Sequence, residues 1–305
     1  MHPIVRALFS AWDLRPEVLL VLGTMLLLYC LGWWRIRSRN PQSKLATKWR
    51  LASYLSGIFL VAAMLLSPVD ALSGQLFFMH MTQHMVMITF AAPLLWLGNP
   101  FPISMWALPK PISRLISRLI SSNSLLRPLF VGITSPGVSW FIFLSVYLGW
   151  HDPNLYNSAL YHDRVHDLQH VTFFLAALLY WWPIFDGAPK FQKRMSTPAR
   201  LAYLLGVIPP TMAAGIVIAT SPVLIYTYYD SVPNIWGMDK LYDQAMAGAI
   251  MWIPGNEMQV QVAVILLYRW LSYDAKQEQK RSMAAIPAVQ TIPAVQSGNT
   301  TEPNE

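Results

Sequence analysis

Two short stretches carry histidines at a spacing that could hold a metal ion. HMTQHM places His80 and His84 four residues apart, and HDRVHDLQH places His162, His166 and His170 at the same interval. On a helix, residues four apart share a face and lie about 6 Å apart along the axis, so two such imidazoles can reach one ion. His162 and His170 are separated by about 12 Å of helix, too far for one ion to take all three. The division that follows gives His166 and His170 to a main site shared with His80 and His84. His162 and His151 are left nearer the surface as an outlying landing point. A lone membrane histidine is more often a hydrogen-bonding residue, so a structural polar network is the plain alternative for these four.

Imidazole suits zinc, copper, iron and nickel. Met79, Met81, Met85 and Met87 flank the first pair, and Met246 and Met251 lie near a later apolar run. Thioethers select Cu(I), although methionine is also an ordinary core filler. Met81 and Met85 are four residues apart, the spacing of the histidines beside them. The single cysteine, Cys30, allows no disulfide or multi-thiolate site within one chain. Histidine with methionine and no thiolate leans towards copper, with zinc and haem as rivals. One bis-histidine haem needs only one His from each of two helices, which leaves the paired spacing unexplained. Asp243 is a further candidate, as a ligand or as a partner that orients an imidazole.

The elements that must hold these residues are membrane helices. The chain has 305 residues, 54% hydrophobic and 12% charged, against about 25% charged in soluble domains. This is the composition of an all-α, polytopic membrane bundle. A span needs about 20 apolar residues, and seven runs qualify, near 17–34, 51–69, 76–97, 128–150, 165–185, 201–221 and 243–271. The last is interrupted at Pro254 and Gly255, which puts Glu257 near mid-membrane beside Asn256, Gln259 and Gln261. MHPIVRALFSAWDLRPE does not read as a cleavable signal, because Trp12, Asp13 and Arg15 break its apolar stretch.

The net charge of +7 is read through topology rather than as a nucleic-acid footprint. Segments 35–50, 98–127, 186–200 and 269–305 hold six, four, four and four of the 22 Lys and Arg residues. Only Arg6, Arg15, Arg164 and Lys240 fall in the alternate segments. The positive-inside rule then places the N-terminus outside and the C-terminus in the cytoplasm. Six histidines fall at the outer face or in the outer half of the membrane, and His2 lies on the outer N-terminus. Nine acids, including Asp70, Asp167 and Asp243, fall on that side too, giving it a formal charge of −5 that attracts cations. PKPISRLISRLISS, 109–122, reads as an amphipathic connector in the inner interface. The chain divides into a seven-helix membrane domain, 1–272, and a low-complexity tail, 273–305, which repeats IPAVQ and is expected to be disordered.

Three stretches also resemble a known family. HMTQHMVMITFAAPLLWLGNP (80–100), WHDPNLYNSALYHDRVHDLQHVTFFLAALLYWWPI (150–184) and YDQAMAGAIMWIPG (242–255) are similar to the Bacillus-type CtaG family, membrane proteins needed to assemble cytochrome c oxidase. The likeness runs from about residue 15 to residue 272. It implies a seven-helix assembly factor that handles copper, and it points at His80, His84, His151, His166, His170 and Asp243. Asn256 and Glu257 depart from it, since small or apolar residues are expected after MWIPG.

The expected function is capture of copper on the outer side of a bacterial cytoplasmic membrane and delivery to an oxidase. The expected partners are oxidase subunits, an extracytoplasmic copper chaperone and the lipid bilayer, with no nucleic acid. The rival from another class is a membrane zinc hydrolase, with His84, His166 and His170 on zinc and Asp243 or Asp167 as base. A copper permease would need ligands through the full depth, for which only Met251, Glu257 and Met258 offer themselves.

Overall fold

In a computed structural model of the chain, residues 11–285 are described, and no strand occurs among them. His2 and residues 286–305 lie outside the described residues. The principal helices are α1 (Pro16–Arg39), α2 (Lys48–Leu66), α3 (Phe77–Met85), α4 (Ala92–Leu97), α5 (Arg127–Ile133), α6 (Pro136–Trp150), α7 (Asp163–Phe185), α8 (Thr197–Thr220), α9 (Lys240–Trp252) and α10 (Pro254–Ala285). Short helices Pro68–Ser73, Pro100–Met105, Lys110–Leu119, Pro153–Tyr161 and Tyr228–Ser231 connect them. Proline at the first helical turn starts most of them, and Thr47, Asp152, Ser196 and Asp239 cap helix N-termini with their side chains.

Five spans among the described residues are long and apolar enough to cross a membrane, α9 and the first part of α10 counting as one, or six when α5 and α6 also count as one broken span. This is a multi-pass membrane protein. Three of the seven expected spans are not single α-helices. The run 128–150 breaks at Thr134 and Ser135, where α5 and α6 meet at 62°. Pro136 explains the break, because the residue before a proline is driven out of the helical region. The run 76–97 is helical throughout but is divided by a π-helical turn, Val86–Ala91, between α3 and α4.

That π turn has a local cause. In it, amides bond five residues back, as Ala92 N–H does to Met87 O. The next amide in the series belongs to Pro93, which has none to give, and Ile88 O is left without its donor. Trp181 Nε1 of α7 donates to Ile88 O at 2.9 Å instead. The π turn thereby ties the helix of His84 to the helix of His170.

The expected interruption in the last run is present at Ile253, between α9 and α10. It is not unwound further. Asn256 is buried and bridges the break: its Nδ2 donates to Met251 O and Trp252 O, while Thr211 Oγ1 of α8 donates to its Oδ1 at 2.8 Å. Glu257 is exposed on the outside of the bundle and accepts from Gln261 Nε2. Residues 273–285, assigned to the tail from the sequence, continue α10 as helix. The α8–α9 crossing is close because both helices present glycine: a Cβ on Gly248 would stand 2.4 Å from Ala219 N, and one on Gly215 would stand 2.9 Å from Gly248 O. Small residues at a crossing let two backbones approach within a membrane, and this contact sets where α9 stands relative to α3.

Candidate metal centre

His80 and His84 lie on α3, and His166 and His170 on the first turns of α7. The four rings meet in one group. Ring centroids are 4.6 Å apart for His80–His84, 4.4 Å for His166–His170, 5.2 Å for His80–His166 and 4.7 Å for His84–His170. Nitrogens face each other: Nε2 of His80 and His84 are 2.6 Å apart, and Nε2 of His166 and His170 are 3.0 Å apart. One ligand atom from each of His80, His84 and His170 lies within 4.8 Å of the other two. Those three are buried, and His166 is half-buried at the edge.

Hydrogen bonding fixes the state of one ring. Tyr229 Oη donates to Ser73 O at 3.0 Å, a carbonyl that can only accept. Its single proton is spent there, so toward His80 Nδ1, 3.2 Å away, it accepts. His80 therefore carries its proton on Nδ1 and presents the Nε2 lone pair to the group. His84 Nδ1 and His170 Nδ1 are buried with no partner, so nothing comparable holds those rings. His151 resembles His80, with Nδ1 donating to Tyr147 O at 2.6 Å and Nε2 buried and unpartnered. It approaches through Phe173, whose ring lies 6.1 Å from His151 and 4.7 Å from His84.

The remaining sequence candidates take other positions. His162 is exposed ahead of α7, apart from the four. Asp243 caps α3: Oδ2 accepts from Phe77 N at 2.8 Å and Oδ1 from Phe78 N at 2.9 Å. Both its oxygens serve amides that a helix start leaves unbonded, so it orients the His80/His84 helix instead of facing an ion. Met81 and Met85 are buried in the apolar core, and a Cβ built on Gly255 would lie 2.8 Å from Met85 Sδ. The thioether thus packs at the α9–α10 break. One helical position separates each methionine from the neighbouring histidine, enough to turn it onto another face.

Sequence reasoning passed over a signal: each pair reads H-x-x-Q-H, with Gln83 before His84 and Gln169 before His170. Both glutamines are 0% exposed. Gln83 Nε2 donates to Met64 O and to Asp70 Oδ1, both at 2.7 Å, and its Oε1 has no partner, nor has either polar atom of Gln169. Burial pushes the Asp70 carboxyl up from its ordinary range, opposed by the Gln83 hydrogen bond and by nearby His166. Arg15 Nη1 pairs with Asp167 Oδ1 at 2.5 Å. Both line a cleft of about 280 Å³ that reaches His170 between α1, α2 and α7, together with Met25, Met87 and Phe174.

The donor set fits a metal ion. The four rings turn Nε2 atoms towards one another as nitrogen donors of the kind that binds zinc, copper, iron or nickel. One ligand atom from each of His80, His84 and His170 lies close enough to the other two for a single ion to take them together.

Comparison with known proteins bears on this arrangement. No solved structure matches the chain. Uncharacterized proteins of Mycobacterium bovis and Mycobacterium tuberculosis are each 25% identical to it over 81% of this chain and 37% of their own length. One of Mycobacterium leprae is 25% identical over 89% of this chain and 41% of its own. The chain thus spans about two fifths of the length of these relatives. The family model for the cytochrome c oxidase caa3 assembly factor (Caa3_CtaG) matches residues 27–272, which include the four-histidine group, the Asp243 cap and the π turn. The chain belongs to the caa3 cytochrome c oxidase assembly factor family.

Proposed function

We propose that this protein carries copper as cargo on the four-histidine group and delivers it to a subunit of a haem-copper oxidase. The observation that carries the reading is the convergence of two i,i+4 histidine pairs from α3 and α7, with their Nε2 atoms turned towards each other. Seven spans with the N-terminus outside are part of the reading, because they put the histidine end at the extracytoplasmic face of the cytoplasmic membrane. An extracytoplasmic copper chaperone is the matching donor. His80, His84, His166 and His170 are the ligands, and His151 is a further nitrogen behind Phe173.

Transfer needs a site that binds and then releases. Ligands oriented by a hydrogen bond from the far ring nitrogen hold metal tightly, and loss of that bond weakens affinity about 10- to 100-fold. Only His80 of the buried three has such a partner in Tyr229, which suits a labile site. The zinc hydrolase reading is less well supported. Asp243 is spent on the α3 amides and Asp167 on Arg15, so neither proposed base is free. For a permease, Glu257 lies on the exterior of the bundle and Met251 in its core. Direct contact among the rings favours one ion over a haem.

The test is metal analysis of purified protein after copper loading. Wild type should bind copper at about one ion per chain, and the protein with His80, His84, His166 and His170 all changed to Ala should bind none. Unchanged copper in the quadruple variant, or tightly held zinc that copper does not displace, would overturn the proposal.

A further inference from the structure

At the end of the bundle away from the histidines, α4, α7 and α10 enclose a cleft of about 550 Å³. Its walls are apolar and include Leu97, Phe185, Ile265 and Trp270, and its polar side is formed by Arg194, Arg200 and Arg269. No acidic residue lines it. Arg200 is the unusual member. It is only 5% exposed, in the first turn of α8, and its Nε and Nη2 are buried with no hydrogen-bond partner. Asp186, the acid in its neighbourhood, is bonded to Lys190 at 2.7 Å. None of the ion pairs among the described residues includes Arg194, Arg200 or Arg269.

A buried guanidinium without a counter-charge is expensive unless something anionic meets it. Arginine matches phosphate with parallel N–H donors, and the N-terminus of a helix adds unbonded amides with a favourable dipole. Three arginines beside an apolar cleft between membrane helices describe a receptor for a molecule with an anionic head and a hydrocarbon tail. A soluble anion would satisfy the arginines but leave the apolar wall unused.

We propose that this cleft binds an anionic phospholipid, its phosphate held by Arg194, Arg200 and Arg269 and an acyl chain lying against Phe185, Ile265 and Trp270. On the topology above, the lipid belongs to the cytoplasmic leaflet, where basic pockets between spans take acidic head groups. It fills the seam between α4, α7 and α10 and holds the inner ends of the histidine-bearing helices together.

The test reconstitutes the full chain in mixed phosphatidylglycerol and phosphatidylcholine and reads retained lipid by native mass spectrometry. Wild type should retain phosphatidylglycerol over phosphatidylcholine by about tenfold or more, and R194Q/R200Q should lose that preference. The control K110Q/R118Q removes as much charge from the exposed helix Lys110–Leu119 and should keep it. Equal retention of the two lipids, equal loss in the control, or displacement by inorganic phosphate alone would overturn the proposal. A single size-exclusion peak and an unchanged thermal denaturation midpoint for R194Q/R200Q check that the variant is folded. Because retained lipid and bound copper are separate readouts, the lipid site and the copper site can fail independently.

Discussion

Replacing Tyr229 by Phe removes one oxygen and keeps the ring that packs on Phe77. The lost oxygen is the acceptor for His80 Nδ1–H and the donor to Ser73 O. Two outcomes are open to His80. It keeps its proton on Nδ1 as a buried donor without a partner, at a cost of about 1–3 kcal/mol. Alternatively the proton moves to Nε2, and the lone pair facing His84 is lost until metal binding reverses the shift. Either route subtracts from binding what the hydrogen bond supplied, about 1.4–2.8 kcal/mol, or 10- to 100-fold in affinity. The assay is competition for Cu(I) against a chromophoric chelator in detergent. Tyr156→Phe serves as the control, because its hydroxyl lies 3.4 Å from that of Tyr229 and makes no bond to a histidine. A Tyr229→Phe protein that is folded and binds copper within about threefold of wild type would refute the tautomer argument.

Other consequences can be measured alongside. Asp243→Ala should lower the thermal denaturation midpoint, through loss of a cap worth about 0.5–2 kcal/mol, and should also weaken copper binding because α3 carries two of the ligands. A variant that is destabilised yet binds copper normally would separate the cap from the site. Trp181→Phe leaves Ile88 O without a donor and should destabilise by about 1–3 kcal/mol; an unchanged denaturation midpoint would remove the explanation of the π turn. Gly248→Val sets side-chain atoms into the backbone of α8 and should abolish stable folding, seen as aggregation in size-exclusion chromatography. Copper affinity should fall as pH drops from about 7 to 5, because protons compete for imidazole nitrogens, and a chelator titration showing tighter binding in acid would contradict imidazole ligation.

Much of the centre was legible because it is local. The helical repeat alone puts His80 beside His84 and His166 beside His170, whatever the rest of the chain does. Hydropathy located the runs that became helices, because each had to satisfy its backbone within itself. A proline stands at each of the three irregularities, but only the one at Pro254 is legible in the sequence; Pro136 and Pro93 sit inside runs that read as uniformly apolar.

The sequence by itself determined what short-range geometry controls: apolar helices, paired imidazoles, and a chain poor in thiols. Tertiary structure decided which groups meet across the bundle. Asp243, which the sequence offers as a ligand or as a partner that orients an imidazole, caps α3 from 166 residues away. Tyr229 reaches His80 across 149 residues, and Trp181 supplies Ile88 O across 93. No periodicity carries such pairings, because they depend on the close α8–α9 crossing at Gly215 and Gly248 and on the turn that α7 locks onto the histidine helix. The residue types were written along the chain, while their hydrogen-bond partners, and with them which ring nitrogen is free to bind, follow from how the helices pack.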